Sequence, residues 1–215
     1  MKQGAIFDMD GVLFDTERMY QETWQEVASE MGITLPPEYK YHVSGASKDG
    51  VYEAVRRFYH TDDPVRVTTE VYERMRIKQQ KPLPIKQGVR EILAYFQQHG
   101  MKTAVASSTF REQVNANLEN NGLASYFDTV ICGDEVTKAK PDPEIFLKAA
   151  EKLSLSPEDC YVFEDSFNGV RASHAAGCIS VMVIDLMEPD PEIRALADHV
   201  FMNLKEALSI LSSET

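Results

Sequence analysis

Six short apolar runs recur along this chain, at Lys2–Asp8, Lys102–Ser108, Thr129–Gly133, Cys160–Asp165, Ile179–Ile184 and His199–Met202, each of strand rather than helix length. Amphipathic stretches stand between them. Gln87–Gln98 stops at His99-Gly100, Arg111–Asn121 at Gly122, and Asn168–Ala176 at Gly177. Asp142-Pro143 offers an N-cap followed by a proline for the first helical position, predicting a further helix to Leu153. Strand and helix in alternation predict βαβ units, hence an α/β fold with a doubly wound, mostly parallel sheet. One segment breaks the pattern. From Arg18 to Gln80 strand signal is almost absent, while Met19–Met31, Lys48–Tyr59 and Pro64–Gln79 look helical, with breaks at Pro36-Pro37 and Ser44-Gly45. The expected organisation is a core of residues 1–15 and 84–215, with an all-helical insertion over 16–83. Its hinges would be Phe14–Glu17 and Lys81–Pro84. A chain of 215 residues is long enough for such a core and a smaller second unit.

Polar chemistry gathers where these apolar runs end. The first run closes in Asp8-Met9-Asp10-Gly11, two carboxylates one residue apart with a glycine turn behind them. Unpaired carboxylates at a buried strand end are costly unless a cation or a reaction holds them there. In open α/β sheets, ligands bind at that carboxyl edge. The second run ends in Ser107-Ser108-Thr109, and the fourth in Glu164-Asp165-Ser166, with Lys138-Ala139-Lys140-Pro141-Asp142-Pro143 lying between. An acidic pair, a hydroxyl, a lysine and a second acidic pair therefore follow in order. Any one of them alone would pass for a solvated turn or a surface side chain. Four in register with strand ends point to a metal and phosphate site.

In these motifs the chain resembles the haloacid dehalogenase-like hydrolases, matching all four of that superfamily's signatures over nearly its whole length. Phe7 to Glu17 and Glu164-Asp165-Ser166-Phe167-Asn168-Gly169 are most similar to the sugar-phosphate phosphatase and β-phosphoglucomutase branch. That branch carries a helical cap after the first strand of a Rossmann-like core. The resemblance implies Asp8 as nucleophile, forming an aspartyl-phosphate and splitting one hard hydrolysis into two easier steps. Asp10 becomes the general acid and base for the departing alcohol and the incoming water. Lys140 would bridge the phosphoryl group and Asp8, and Ser107 would donate its hydroxyl to a phosphate oxygen. Main-chain amides of Met9, Asp10 and Ser108 would add donors.

Asp8, Glu164 and Asp165, with the main-chain carbonyl of Asp10, form an oxygen-only ligand set that suits Mg²⁺. Charge supports a cation: the four acids carry −4, and Lys140 with a divalent ion returns +3 before any phosphate arrives. Thr109 reads as the N-cap of the Arg111 helix. Asn168 and Gly169 read as support for the Asp165 loop, and Asp15 and Thr16 as hinge residues. Trp24 is expected to pack inside the insertion. His42, His60, His99, His174 and His199 show no ligand spacing.

Asp10 separates this chain from dehalogenases, which lack an acid two residues after the nucleophile. Within the branch the mutase pattern has a histidine early in the first cap helix, where Tyr20 stands here, and a cap-loop arginine, where the best match is Lys48 after Gly45. Lysine does not reproduce the bidentate phosphate grip of arginine. The expected activity is a phosphatase for a small phosphorylated metabolite of the sugar-phosphate kind, with Arg18, Tyr20 and Lys48 as cap candidates for specificity. A phosphohexomutase is the alternative. A phospho-accepting signalling domain is the rival from another class, though such domains place the phosphorylated aspartate on a later strand and carry no helical insertion. The net charge of −12 argues against nucleic acid and anionic membrane as partners, and no apolar run is long enough to span a bilayer. Three cysteines in or beside strand-like runs fit buried thiols in a reducing cytoplasm, the residues Met1–Gly4 run into a strand without a signal peptide, and a monomer is expected.

Overall fold

The computed structural model describes residues 2–44 and 46–213. It divides into two compact units, Met1–Asp15 with Leu83–Thr215, and Thr16–Pro82. The first unit is built on β1 (Gly4–Phe7), whose four residues are all buried. The second unit holds α1 (Thr16–Glu30), α2 (Tyr39–Val43), α3 (Lys48–Tyr59) and α4 (Pro64–Lys78), with no strand among its described residues. The chain then returns to the first unit through α5 (Val89–Gln98), β2 (Lys102–Ser107), α6 (Arg111–Asn120), β3 (Thr129–Cys132), α7 (Glu144–Leu153), β4 (Cys160–Glu164), α8 (Phe167–Ala176), β5 (Ile179–Val183), α9 (Pro191–Leu196), β6 (His199–Phe201) and α10 (Leu204–Leu211).

Every ladder of the six-stranded sheet is parallel, in the order β3-β2-β1-β4-β5-β6. The order reverses beside β1, so the carboxyl ends of β1 and β4 flank a topological switch point, where such sheets bind ligands. Strand alternation sorts the two faces. Ile6, Ala104 and Val162 pack with Ile145, Phe146 and Ala149 of α7 and Ala172 of α8. Phe7 points the other way, stacked on Phe163 at 4.6 Å between centroids, with Phe96 of α5 at 6.2 Å. Covering both faces makes the sheet a buried layer and leaves its edges and strand ends for chemistry.

The segments that connect the two units pair with each other inside the first. Asp15 N–H donates to Pro84 O at 2.9 Å, Lys86 N–H to Leu13 O at 3.0 Å, and Phe14 and Ile85 form an isolated antiparallel bridge. Lys86 reaches the Asp185 carboxylate just past β5 and lies 3.6 Å from Asp15. The second unit has its own core, in which Trp24, Tyr39 and Tyr59 meet edge to face and the Tyr59 hydroxyl donates to Trp24 O at 2.6 Å.

Several local expectations need correction. The helix expected from Asp142-Pro143 begins at Glu144, with Pro143 outside it, because Asp142 N–H closes a turn onto Ala139 O at 3.0 Å. The Asp142 carboxylate still accepts from Glu144 N–H at 3.1 Å. α1 starts three residues before Met19, at Thr16. The short helices α2, α9 and α10 were not expected. Of the Ser44-Gly45 break, Ser44 caps the end of α2 and Gly45 lies outside the described residues. No helix among the described residues is long and apolar enough to cross a membrane.

Candidate active site

Asp8 follows β1 directly, and its main-chain N–H donates to Phe163 O of β4 at 2.9 Å, so backbone pairing carries the first acid to the switch point. Met9 to Phe14 fold into a tight turn, with Leu13 and Phe14 N–H groups on Met9 O and Gly11 N–H on Phe14 O. Gly11 has φ +78°, and a Cβ there would stand 2.2 Å from the Asp165 carboxylate. Glycine is needed both for the left-handed backbone and for the approach of the acid.

Lys140 is the centre of the cluster. Its ammonium donates to Asp8 Oδ1 at 2.5 Å, to Glu164 Oε1 at 2.5 Å and to Ala106 O at 3.2 Å. The side chains are almost sealed from solvent, at 9% for Asp8, 8% for Lys140 and 1% for Glu164. Two carboxylates thus share one ammonium. The two acids hold Lys140 above the ordinary lysine range, although burial works against its charge. Burial pushes Asp8 up to about 8; Lys140 opposes this, while Glu164 and Asp10 add to it. A second negative charge in this buried space is therefore costly until another cation enters.

Glu164 has both oxygens engaged, since Oε2 also accepts from Ser166 N–H at 3.2 Å and from the Ser166 hydroxyl at 3.0 Å. Ser166 in turn accepts from Gly169 N–H at 3.0 Å, the first turn of α8. A Cβ at Gly169 would lie 1.9 Å from Glu164 Cδ. Carboxylate oxygens of Asp8, Glu164 and Asp165 lie within 4.8 Å of one another. Carboxylate oxygens at this spacing could hold a hydrated divalent cation, with Asp8 and Asp165 the better candidates because both Glu164 oxygens are engaged. Cys132, Asp134 and Glu135 make a second such group, but Arg111 already fills it: its guanidinium pairs with Glu135 and its N–H donates to Asp134 at 3.2 Å.

Ser107 ends β2, beside the Ala106 carbonyl that Lys140 touches, and its hydroxyl accepts from Thr109 N–H at 3.1 Å. Ser108 is exposed, with Gly133 packed so closely on its carbonyl that a Cβ there would come within 2.1 Å. Thr109 departs from expectation. The N-cap residue of α6 is Phe110, without a side-chain cap, and the Thr109 hydroxyl instead donates to Asp10 Oδ2 at 2.9 Å. The first N–H of α6 is met by Asp134, so the hydroxyl is released for Asp10.

The first unit therefore brings together Asp8, Asp10, Ser107, Lys140, Glu164 and Asp165. Arg18, Tyr20 and Lys48 belong to the second unit. Arg18 is exposed and paired with Glu22 at 3.1 Å, Tyr20 lines a cavity within that unit, and Lys48 is exposed with its ammonium 5.6 Å from the Tyr52 ring centre. The three cysteines are free and buried, and burial pushes Cys132 and Cys160 up to about 11, which removes them as nucleophiles.

Comparison with known proteins agrees with this geometry. Residues 5–183 match the family described as haloacid dehalogenase-like hydrolase. A phosphorylated carbohydrates phosphatase of Thermotoga maritima is 35% identical over 176 residues, covering 81% of this chain and 82% of the relative. A fructose-1-phosphate phosphatase of Escherichia coli is 32% identical, covering 84% and 95%. A crystal structure from Thermotoga maritima, provisionally named a β-phosphoglucomutase, is 30% identical with a TM-score of 0.81, covering 99% of this chain and 100% of its own.

Proposed function

This chain belongs to the haloacid dehalogenase-like hydrolases, and on that footing we propose that it is a Mg²⁺-dependent phosphatase of phosphorylated sugars, working through an aspartyl-phosphate on Asp8. The observation that carries the reading is the buried bridge Asp8–Lys140–Glu164 at the β1/β4 switch point, with Asp165 within metal-sharing distance of both acids. Asp8 attacks phosphorus, and Lys140 keeps its carboxylate aimed while offsetting charge on the transferring group. Asp10, oriented by Thr109, hands a proton to the departing alcohol and later takes one from water. Ser107 and the amides of Met9, Asp10 and Ser108 would donate to the phosphoryl oxygens. Asp8, Asp165 and the Asp10 carbonyl would hold the Mg²⁺ ion, and Glu164 acts mainly by fixing Lys140, both of its oxygens being engaged. When bound, the ion neutralises phosphate charge and carboxylate repulsion.

Relatives named as phosphatases of a phosphorylated carbohydrate and of fructose 1-phosphate support a sugar phosphate as substrate. A mutase reading draws support from the β-phosphoglucomutase-like structure, and against it stand Tyr20 and the exposed Lys48 where that pattern has its histidine and arginine. The test is phosphate release from an aryl phosphate and from a panel of sugar phosphates. Activity should need Mg²⁺, disappear with chelator, and be lost in both Asp8→Asn and Asp10→Asn; normal turnover in either variant sinks the assignment. Conversion of β-glucose 1-phosphate to glucose 6-phosphate without phosphate release would establish the mutase instead.

A further inference from the structure

Three residues in a row before Lys140, namely Thr137, Lys138 and Ala139, are exposed, so no buried side chain anchors the backbone that delivers the lysine. Its anchor is a single carboxylate. Glu144, in the first turn of α7, accepts at Oε2 from Thr137 N–H at 3.0 Å, from the Thr137 hydroxyl at 2.7 Å and from Lys138 N–H at 2.9 Å. Its other oxygen faces Lys148, one helical turn on, at 2.7 Å. Lys148 also donates to Glu135 O at 2.7 Å, which ties the turn before the loop to the same helix. Lys148, then Thr137, draw the Glu144 carboxyl down to about 2, so it is charged at neutral pH.

The helix that carries Glu144 is a firm base. Its Ile145, Phe146 and Ala149 are buried in the core with Ile6 of β1 and Ala104 of β2, and the Phe146 ring lies 5.0 Å from the Lys140 ammonium. α7 thus supports Lys140 from inside through a ring and from outside through a carboxylate. Beyond Lys140 the loop is closed by Asp142 N–H on Ala139 O and by Glu144 N–H on Asp142 Oδ1. Without Oε2 the near side has no such closure, and three donors are left to water. An ammonium bonded at 2.5 Å to two carboxylates tolerates little displacement of its backbone. We infer that Glu144 is the positioning residue for Lys140: its Oε2 fixes the backbone at Thr137 and Lys138, and through it the ammonium between Asp8 and Glu164. The inference rests on the phosphatase reading only for its effect on turnover.

Two variants of the full chain separate reach from charge. Glu144→Asp keeps a negative charge at the start of α7 but is one methylene short of the loop. Glu144→Gln loses the charge and keeps one oxygen at full reach. Anchoring predicts that kcat on an aryl phosphate falls about tenfold in Glu144→Asp and about 100-fold in Glu144→Ala, and stays within about threefold in Glu144→Gln. A role confined to helix charge or to the ion pair predicts that Glu144→Asp outperforms Glu144→Gln. Lys148→Met, which removes the ion pair alone, should also stay within about threefold. Lys140 itself is read by magnetic resonance of protein carrying isotope-labelled lysine. With three acceptors and 8% exposure, its ammonium should give a slowly exchanging proton signal, assigned by its absence in Lys140→Met. That signal should persist in Glu144→Gln and vanish into fast exchange in Glu144→Asp and Glu144→Ala; the aspartate variant carries the test should the alanine variant melt early. No protected signal in the wild type, an undisturbed signal in Glu144→Asp, or a Glu144→Gln as damaged as Glu144→Asp each overturns the inference. The expected signals with no aryl phosphate turnover in the wild type reject the phosphatase reading alone.

Discussion

Gly169→Ala adds one methyl group outside the metal ligands and should still disable the site. The new Cβ would fall 1.9 Å from Glu164 Cδ and 2.1 and 2.2 Å from its two oxygens, where atoms cannot stand closer than 3.0 Å. The carboxyl group must retreat by about 1 Å, the difference between 3.0 and 1.9 Å. With 1% of its side chain exposed, Glu164 has no solvent to retreat into. The movement breaks its 2.5 Å bond to Lys140 and its bonds to Ser166. One charged hydrogen bond is worth about 1.5–3 kcal/mol. At about 2–4 °C per kcal/mol, the transition of the unit carrying β4 should fall by about 3–12 °C. A reacting group displaced by about 1 Å lowers turnover on the order of 100-fold. The assay is kcat on an aryl phosphate beside a thermal melt. Gly50→Ala is the control, since its Cβ would meet only ordinary contacts at 3.5 Å and a helical alanine is favoured over glycine. Wild-type kcat in Gly169→Ala refutes the idea that Glu164 keeps Lys140 aimed.

Two further outcomes follow from buried charge. In metal-free protein Asp8 keeps its proton to about 8 when folded but only to its ordinary 3.8 when unfolded. The folded state therefore holds the extra proton between those values, so this contribution is complete below 3.8 and is lost as pH rises toward 8. Melting temperature should decline across that window, Mg²⁺ should restore more stability at pH 8 than at pH 6, and Asp8→Asn should flatten both trends; an unchanged slope in the variant removes Asp8 as the cause. Lys86→Met strands the Asp185 carboxylate, whose Oδ2 is already buried without a partner and whose side chain is 7% exposed. Removing one partner of such a pair costs about 3–5 kcal/mol, while the double change Lys86→Met with Asp185→Leu should recover most of it in a denaturant titration; equal losses in single and double variants would contradict the pair.

What could be read from the sequence was the part governed by local rules. All six strands were found to within two residues at either end, because a parallel strand buried on both faces is a short continuous apolar run. The helices ending at glycine were equally legible, as at Gly177, which closes α8 in a left-handed conformation. The same capping logic misplaced one helix and missed another. Asp190-Pro191 starts α9 just as Asp142-Pro143 was expected to start α7, yet the earlier pair is drawn into a turn by Ala139. Thr109 shows a different limit. A hydroxyl before a helix has the same signature whether it caps that helix or bonds Asp10, 99 residues away. Only the supply of another acceptor for the helix, Asp134, decides between them, and that residue arrives from beyond β3.

The two acids that close β4 illustrate why the acid pattern alone underdetermines the site. Glu164 and Asp165 are chain neighbours, so an extended backbone sends their side chains in opposite directions. Glu164 turns toward Lys140 and the first turn of α8, where the absence of a side chain at Gly169 makes space for it. Asp165 turns toward the loop after β1, where Gly11 does the same. One acid fixes the lysine, and the other stands with Asp8 in a group of carboxylates that could hold a metal ion. Each role thus depends on a glycine supplied by a different loop. Acids placed at strand ends without these glycines could not reach such positions, however well their spacing matched. Glycine at 11 and at 169 is therefore as much a part of the chemistry as the carboxylates it admits.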